Sequence, residues 1–194
     1  MGRIPPSRAK GAKMPGYPVV PEVDILEAAV VFLRERGVQV YRVSAPKGKG
    51  INKAAGENRI WKVLRGDGVQ SRLPVYPFSD KGQDIMGISA TEWWQVECKR
   101  SGVGTAQTQR SNFDRALASA VSYYENEARD IPEAYQGWAS AKPYLGLGLP
   151  VSSAYLNELN KRVRQPLRKA LNLWVLLYHM ESKKIRAVSP EDSY

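Results

Sequence analysis

The chain has 194 residues, with 29 Lys and Arg against 19 Asp and Glu, a formal net charge of +10. That length suits one domain with a real core, and the basic balance favours an acidic partner, of which nucleic acid is the commonest. A single Cys and a single His exclude an internal disulfide and a Cys/His zinc cluster. No apolar run reaches the roughly 18 residues of a membrane span, and the N-terminus has no apolar signal core, so the sequence reads as soluble and intracellular, hence cytoplasmic.

Residues 1–21 contain Arg3, Arg8, Lys10 and Lys13, no acid, five prolines and three glycines, a composition expected of a flexible basic arm. Residues 22–194 are expected to form a single domain. "PEVDILEAAVVFLRERG" predicts a helix: Pro21, Glu22 and Asp24 suit its start, and Arg34, Arg36 and Gly37 its end. Val38 to Val43 alternates as a strand. "SAPKGKGINKAAGENR" reads as a Gly- and Lys-rich loop, and residues 60–78 as one or two short strands around "IWKVL" and "LPVYPF". "DIMGIS" and "WWQVECK" read as strands joined by a short turn. A helix follows over "TQRSNFDRALASAVSYYENEA". Residues 130–150, rich in Pro and Gly, read as irregular. Residues 152–170 read as helical with a break at Pro166, so that 130–170 resembles an added segment. "LNLWVLLYHM" and "KIRAVS" predict a closing hairpin. Helices alternating with strands in this order predict an α/β fold, a mixed sheet with helices on its faces.

Alternate residues of a strand share a face. Trp94, Val96 and Cys98 would point into the core, and Trp93, Gln95, Glu97 and Lys99 the other way. Asp84 precedes Glu97 by 13 residues, room for a strand, a turn and a return strand, which sets Asp84 beside Glu97 and Lys99 in an antiparallel pair. Two facing carboxylates repel and want a cation between them. Hard oxygen ligands suit Mg²⁺ or Mn²⁺. Glu27 is the one polar side chain in "ILEAAVVFL" and reads as buried, which requires a partner or a metal. An ion pair with an arginine such as Arg42 is the bland alternative, and Glu22, which suits a helix start without any function, is a weaker substitute as third carboxylate.

Asp84 followed by Glu97-Cys98-Lys99 resembles the signature of the PD-(D/E)XK nucleases, with Gln83 where that family often has proline. "LEAAVVFLRERGVQVYRVSAPKGKG", "QDIMGI" and "VECK" are similar, in their order, to archaeal and phage Holliday junction resolvases. The likeness covers about residues 22–100. It implies a restriction-endonuclease-like sheet and a metal-dependent, structure-selective DNA endonuclease acting as a symmetric dimer on branched DNA. It further implies that Asp84, Glu97, the Cys98 carbonyl and Glu27 hold Mg²⁺, and that Lys99 orients the attacking water. Ser44 lies where such enzymes place a loop serine near the phosphate, and Gln109 where they place a polar helix residue, with Gln107 and Asn112 competing.

Basic residues Lys47, Lys49, Lys53, Arg59, Lys62, Arg65 and Arg72 form one group of phosphate-contact candidates, and Lys161, Arg162, Arg164, Arg168 and Lys169 a second. Arg42 and Arg100 join them as DNA-binding candidates near the site. Trp93 and Trp94 suit a core better than base stacking. Two alternatives remain open from sequence: another nuclease of the same fold, with nicking, repair, restriction-type or exonuclease action, and a basic DNA-binding protein without catalysis.

Overall fold

The computed structural model describes residues 19–44, 52–65, 77–79, 82–101 and 106–194. Most of the basic arm, Lys47, Lys49, Arg72 and most of "LPVYPF" lie outside them. The elements in chain order are α1 (Glu22–Glu35), β1 (Gln39–Ser44), α2 (Lys53–Arg65), β2 (Phe78–Ser79), β3 (Ile85–Ile88), β4 (Glu92–Cys98) and α3 (Ala106–Ser122). A 3-10 turn (Glu133–Trp138) then leads to β5 (Lys142–Pro150), α4 (Ser153–Arg162), α5 (Gln165–Leu171), β6 (Leu173–His179) and β7 (Lys184–Val188).

The seven strands form one sheet in the order β2-β1-β3-β4-β5-β6-β7. β1, β3 and β4 are antiparallel in succession, β5 and β6 run parallel to β4, and β7 closes with an antiparallel hairpin. This is the expected α/β architecture. Ile25, Leu26, Ala29, Val30 and Leu33 of α1 and Ile60 and Leu64 of α2 pack on one face, against Val96 and Cys98. Phe113, Ala116 and Ala120 of α3 and Tyr155, Leu159 and Val163 of α4 cover the other, against Leu145, Leu147 and Leu149. A smaller cluster joins Tyr41, Met86, Ile88 and Trp93 to Ile131 and Tyr135 of the 3-10 turn. Trp93 and Trp94 are core residues, each less than 2% exposed.

Three sequence expectations are overturned. "KAAGENR" is helical rather than loop, and "IWKVL" belongs to the same helix rather than to a strand. Gly56, Ile60 and Leu64, spaced by four, are its buried stripe. The third is "KPYLGLGLP", which is a central strand between β4 and β6, so residues 130–170 are no irregular addition. Its leucines fill the α3 face, while its glycines leave room on the α1 face. A Cβ on Gly148 would stand 2.8 Å from Cys98 Sγ and 3.3 Å from Ile25 Cγ2. Pro166 does mark a break, as an early residue of α5, where its missing N–H costs nothing.

Candidate metal centre

β3 and β4 pair with Ile85 opposite Val96 and Met86 opposite Gln95. Extending that register by one residue sets Asp84 opposite Glu97, on the face that α3 covers. Lys99 N donates to Gly148 O of β5 at 2.9 Å. Successive residues of a strand bond to opposite neighbours, so the N–H and C=O of Cys98 both point the other way, toward β3. There β3 has already ended, and the Asp84 carboxylate takes the ladder's place. Its Oδ2 accepts from Cys98 N at 2.7 Å. The Asp84 carbonyl in turn accepts from Ser44 N at 2.6 Å, which ties the end of β1 to the same point. Cys98 itself buries its thiol among Ile25, Val96 and their neighbours.

The two carboxylates sit in a half-dry site. Burial pushes Asp84 up to about 7, and the field of Glu22 adds to this, while the Cys98 N–H and Lys99 oppose it. Burial also pushes Glu97 up to about 8, helped by Asp84 and then Glu22 and opposed by Lys99 and a hydrogen bond from Ser119. Two carboxylates raised in this way are a site short of positive charge. Lys99 supplies part of it but is shared, lying 3.9 Å from Glu22 at the start of α1.

Glu22, not Glu27, is therefore the third carboxylate whose charge reaches the site. Glu27 pairs with Arg59 of α2, whose Nε donates to it at 3.0 Å and whose guanidinium also meets Asp24 at 2.7 Å. Its side chain is about a third exposed, 32%. The expectation that it is buried and completes the metal site is corrected. The ion-pair alternative holds, with Arg59 in the place expected for Arg42, whose Nη1 instead lies against Met86 Sδ at 3.4 Å. Gln109 is buried in α3; Ser119 near the end of α3 and Tyr123 just beyond it interact with the carboxylates. The N-terminal half of α3 instead packs on α4, Phe113 against Tyr155. Tyr123 donates from its hydroxyl to Gly82 O at 3.4 Å. Its ionisation is opposed by burial and then by the charges of Glu97 and Asp84. The sequence hint for Ser119 is a lone polar residue among the alanines of "ALASAV".

Among the described residues no three His, Cys, Asp or Glu side chains converge as a metal cage. The donors at hand are two carboxylates and the Cys98 carbonyl, all hard oxygens. This set fits Mg²⁺, which keeps several waters and takes one or two protein carboxylates.

The basic candidates divide. Arg100 is exposed directly after β4, and its carbonyl accepts from Tyr155 Oη at 2.9 Å. Lys53 is exposed at the start of α2 and lies 3.8 Å from Glu57. Lys161 and Arg164 are exposed where α4 meets α5. Arg162 is tied to Asp114 and Glu158. Arg168 is buried, donating to Ser189 O and Asp192 O, and is no phosphate contact. A cavity of about 470 Å³, lined by Lys142, Tyr144, Asn172 and Trp174, lies at the start of β5 and β6 and includes none of the carboxylates.

Comparison with protein-family models, with curated proteins and with solved structures found no match. No helix among the described residues is long and apolar enough to cross a membrane.

Proposed function

We propose that the protein is a Mg²⁺-dependent, structure-selective DNA endonuclease that resolves four-way junctions, with a restriction-endonuclease-like sheet. It would work in the cytoplasm as a symmetric dimer, because two cuts must fall on two related strands. The observation that carries the reading is the meeting of Asp84, Glu97 and Lys99 at one sheet end, with Asp84 bonded to the Cys98 N–H. This is the arrangement that the resemblance of the Asp84 and Glu97-Cys98-Lys99 segments implies.

Asp84, Glu97 and the Cys98 carbonyl would hold the metal. Bound there, Mg²⁺ supplies an acidified water and charge neutralisation at the phosphate. The chain's own groups do the rest. Lys99, beside Glu22 at the rim, would offset the charge that grows on a phosphate. Ser119 keeps one Glu97 oxygen in place, and the exposed Arg100 stands where a flanking phosphate would pass. The net charge of +10 favours DNA over neutral substrates.

The test is incubation with Mg²⁺ and a panel of four-way, flapped, nicked and linear duplex DNAs, beside Asp84→Asn. Cleavage of the four-way junction, lost by several orders of magnitude in the variant while DNA binding persists, is expected. Cleavage of linear DNA alone would replace the junction reading with a different nuclease. Undiminished cleavage by Asp84→Asn would sink the site.

A further inference from the structure

Gln95 lies on β4 two residues before Glu97, on the same face of the sheet, and is 2% exposed. Its Oε1 accepts from Gln83 Nε2 at 2.6 Å. Its own Nε2 is buried with no hydrogen-bond partner. An orphaned buried donor costs on the order of 1–3 kcal/mol, and native chains rarely keep one without a use.

The surroundings narrow what that use is. Across the sheet Gln95 pairs with Met86 and Leu145. Neither side chain offers an oxygen, and the Met86 sulfur already faces Arg42. Along β4 the next residue on this face is Glu97, about 6.6 Å away by the rise of a strand. Two long side chains can close that gap directly or through one buried water. Reversing both amides would orphan the Gln95 oxygen, but Nε2 would then give one N–H to Gln83 and keep its second for another acceptor.

We infer that Gln95 is a positioning residue for the metal centre: its buried amide donates to the Glu97 carboxylate when that group holds a metal, fixing the oxygen that binds. This rests on reading Asp84 and Glu97 as a Mg²⁺ site. Ligating carboxylates are commonly held by such outer hydrogen bonds, and losing one costs about 10–100-fold in metal affinity.

The experiment compares the wild type with Gln95→Met, close in shape and without a donor, and Gln95→Asn, which keeps the amide but reaches one bond less. Mg²⁺ binding is measured by calorimetry and by the Mg²⁺-dependent rise in melting temperature, and metal-free melting curves are recorded in EDTA. Gln83→Ala serves as the control, since it removes the partner of Oε1 and leaves Nε2 intact. Expected are an unchanged or raised metal-free stability for Gln95→Met and a 10–100-fold weaker Mg²⁺ affinity for both Gln95 variants. Gln83→Ala should stay near the wild type. If the amide only braces Gln83, Gln95→Met loses metal-free stability and binds Mg²⁺ normally, which overturns the inference and leaves the metal site standing. If the wild type itself binds no Mg²⁺, the reading of the site fails first, and the inference with it.

Discussion

Raising the pH should destabilise the metal-free protein through Asp84 and Glu97. Burial lifts Asp84 from 3.8 to about 7 and Glu97 from 4.5 to about 8. Between those limits the folded state holds protons that the unfolded chain has released. The stability contributed by the protonated pair is full below the unfolded values and is lost as pH rises through the folded ones. At about 1.4 kcal/mol per pH unit, ionising Asp84 costs about 4 kcal/mol. Glu97 adds less than a second such amount, because the repulsion between the two is counted once and Glu97 keeps some contact with solvent. In a domain of this size each kcal/mol moves the melting temperature by about 2–4 °C, so Asp84 alone should cost roughly 8–16 °C between about pH 3 and pH 8, of which about 3 kcal/mol, or roughly 6–12 °C, falls above pH 5. Other groups titrate over the same range, so the quantity to measure is the difference from the double variant Asp84→Asn/Glu97→Gln, in EDTA. That difference should shrink or reverse against the wild type as pH rises. Saturating Mg²⁺ should restore the wild type most at high pH, by about 2.7 kcal/mol at a hundredfold excess over Kd. A difference that is flat with pH, or that grows in favour of the wild type without metal, would refute the picture of two carboxylates confined in a half-dry site.

Glu27→Gln should cost no more than about 1 kcal/mol, the loss of a surface ion pair with Arg59, and leave the Mg²⁺ dependence of cleavage unchanged; a raised Mg²⁺ requirement would return Glu27 to the site. Gly148→Ala should destabilise by about 1–3 kcal/mol, because the new methyl would press on Cys98 Sγ and Ile25, and denaturant unfolding would expose a neutral result. DNA binding should weaken steeply with salt, with slopes near −0.9 per phosphate contacted. Replacing Lys161 and Arg164 together by alanine should lower that slope by about 2 if DNA extends from the carboxylates to the α4–α5 junction; an unchanged slope would place the DNA elsewhere.

What was legible in the sequence was local and periodic. The apolar run of α1, the alternation of β1, and the two hairpins β3–β4 and β6–β7 each declare themselves within a dozen residues, and the first hairpin is enough to bring Asp84 to Glu97. What was hidden was hidden by composition. α2 carries lysines, arginines and a glycine, yet its buried stripe of Gly56, Ile60 and Leu64 keeps helical spacing. β5 has the glycines of a loop, yet its leucines alternate strictly. The environment of Glu27 depends on α2. Without α2 there is no Arg59, and without Arg59 a carboxylate in an apolar helix has no evident partner. Glu22 is a helix-start residue, since the positive end of the α1 dipole favours it there. The same position also places its charge within reach of Lys99, Asp84 and Glu97.

Asp84 does two things at once, and the pairing explains why the site can be robust in fold and fragile in chemistry. Its carboxylate accepts the Cys98 N–H that β3 no longer reaches, so it serves as one more rung of the sheet. The Cys98 carbonyl leaves the strand on the same side as that N–H. An asparagine can keep the rung, since its carbonyl accepts the same N–H. It cannot supply the negative charge a cation needs. The end of β4 is fixed from its other side as well, by Lys99 N on Gly148 O and by Tyr155 Oη on Arg100 O. Three consecutive residues of β4 and its exit, Cys98 to Arg100, are thus anchored by three different elements. Rigid backbone at that point is what a metal site built from one carbonyl and two carboxylates requires, because the carbonyl cannot adjust without moving the strand.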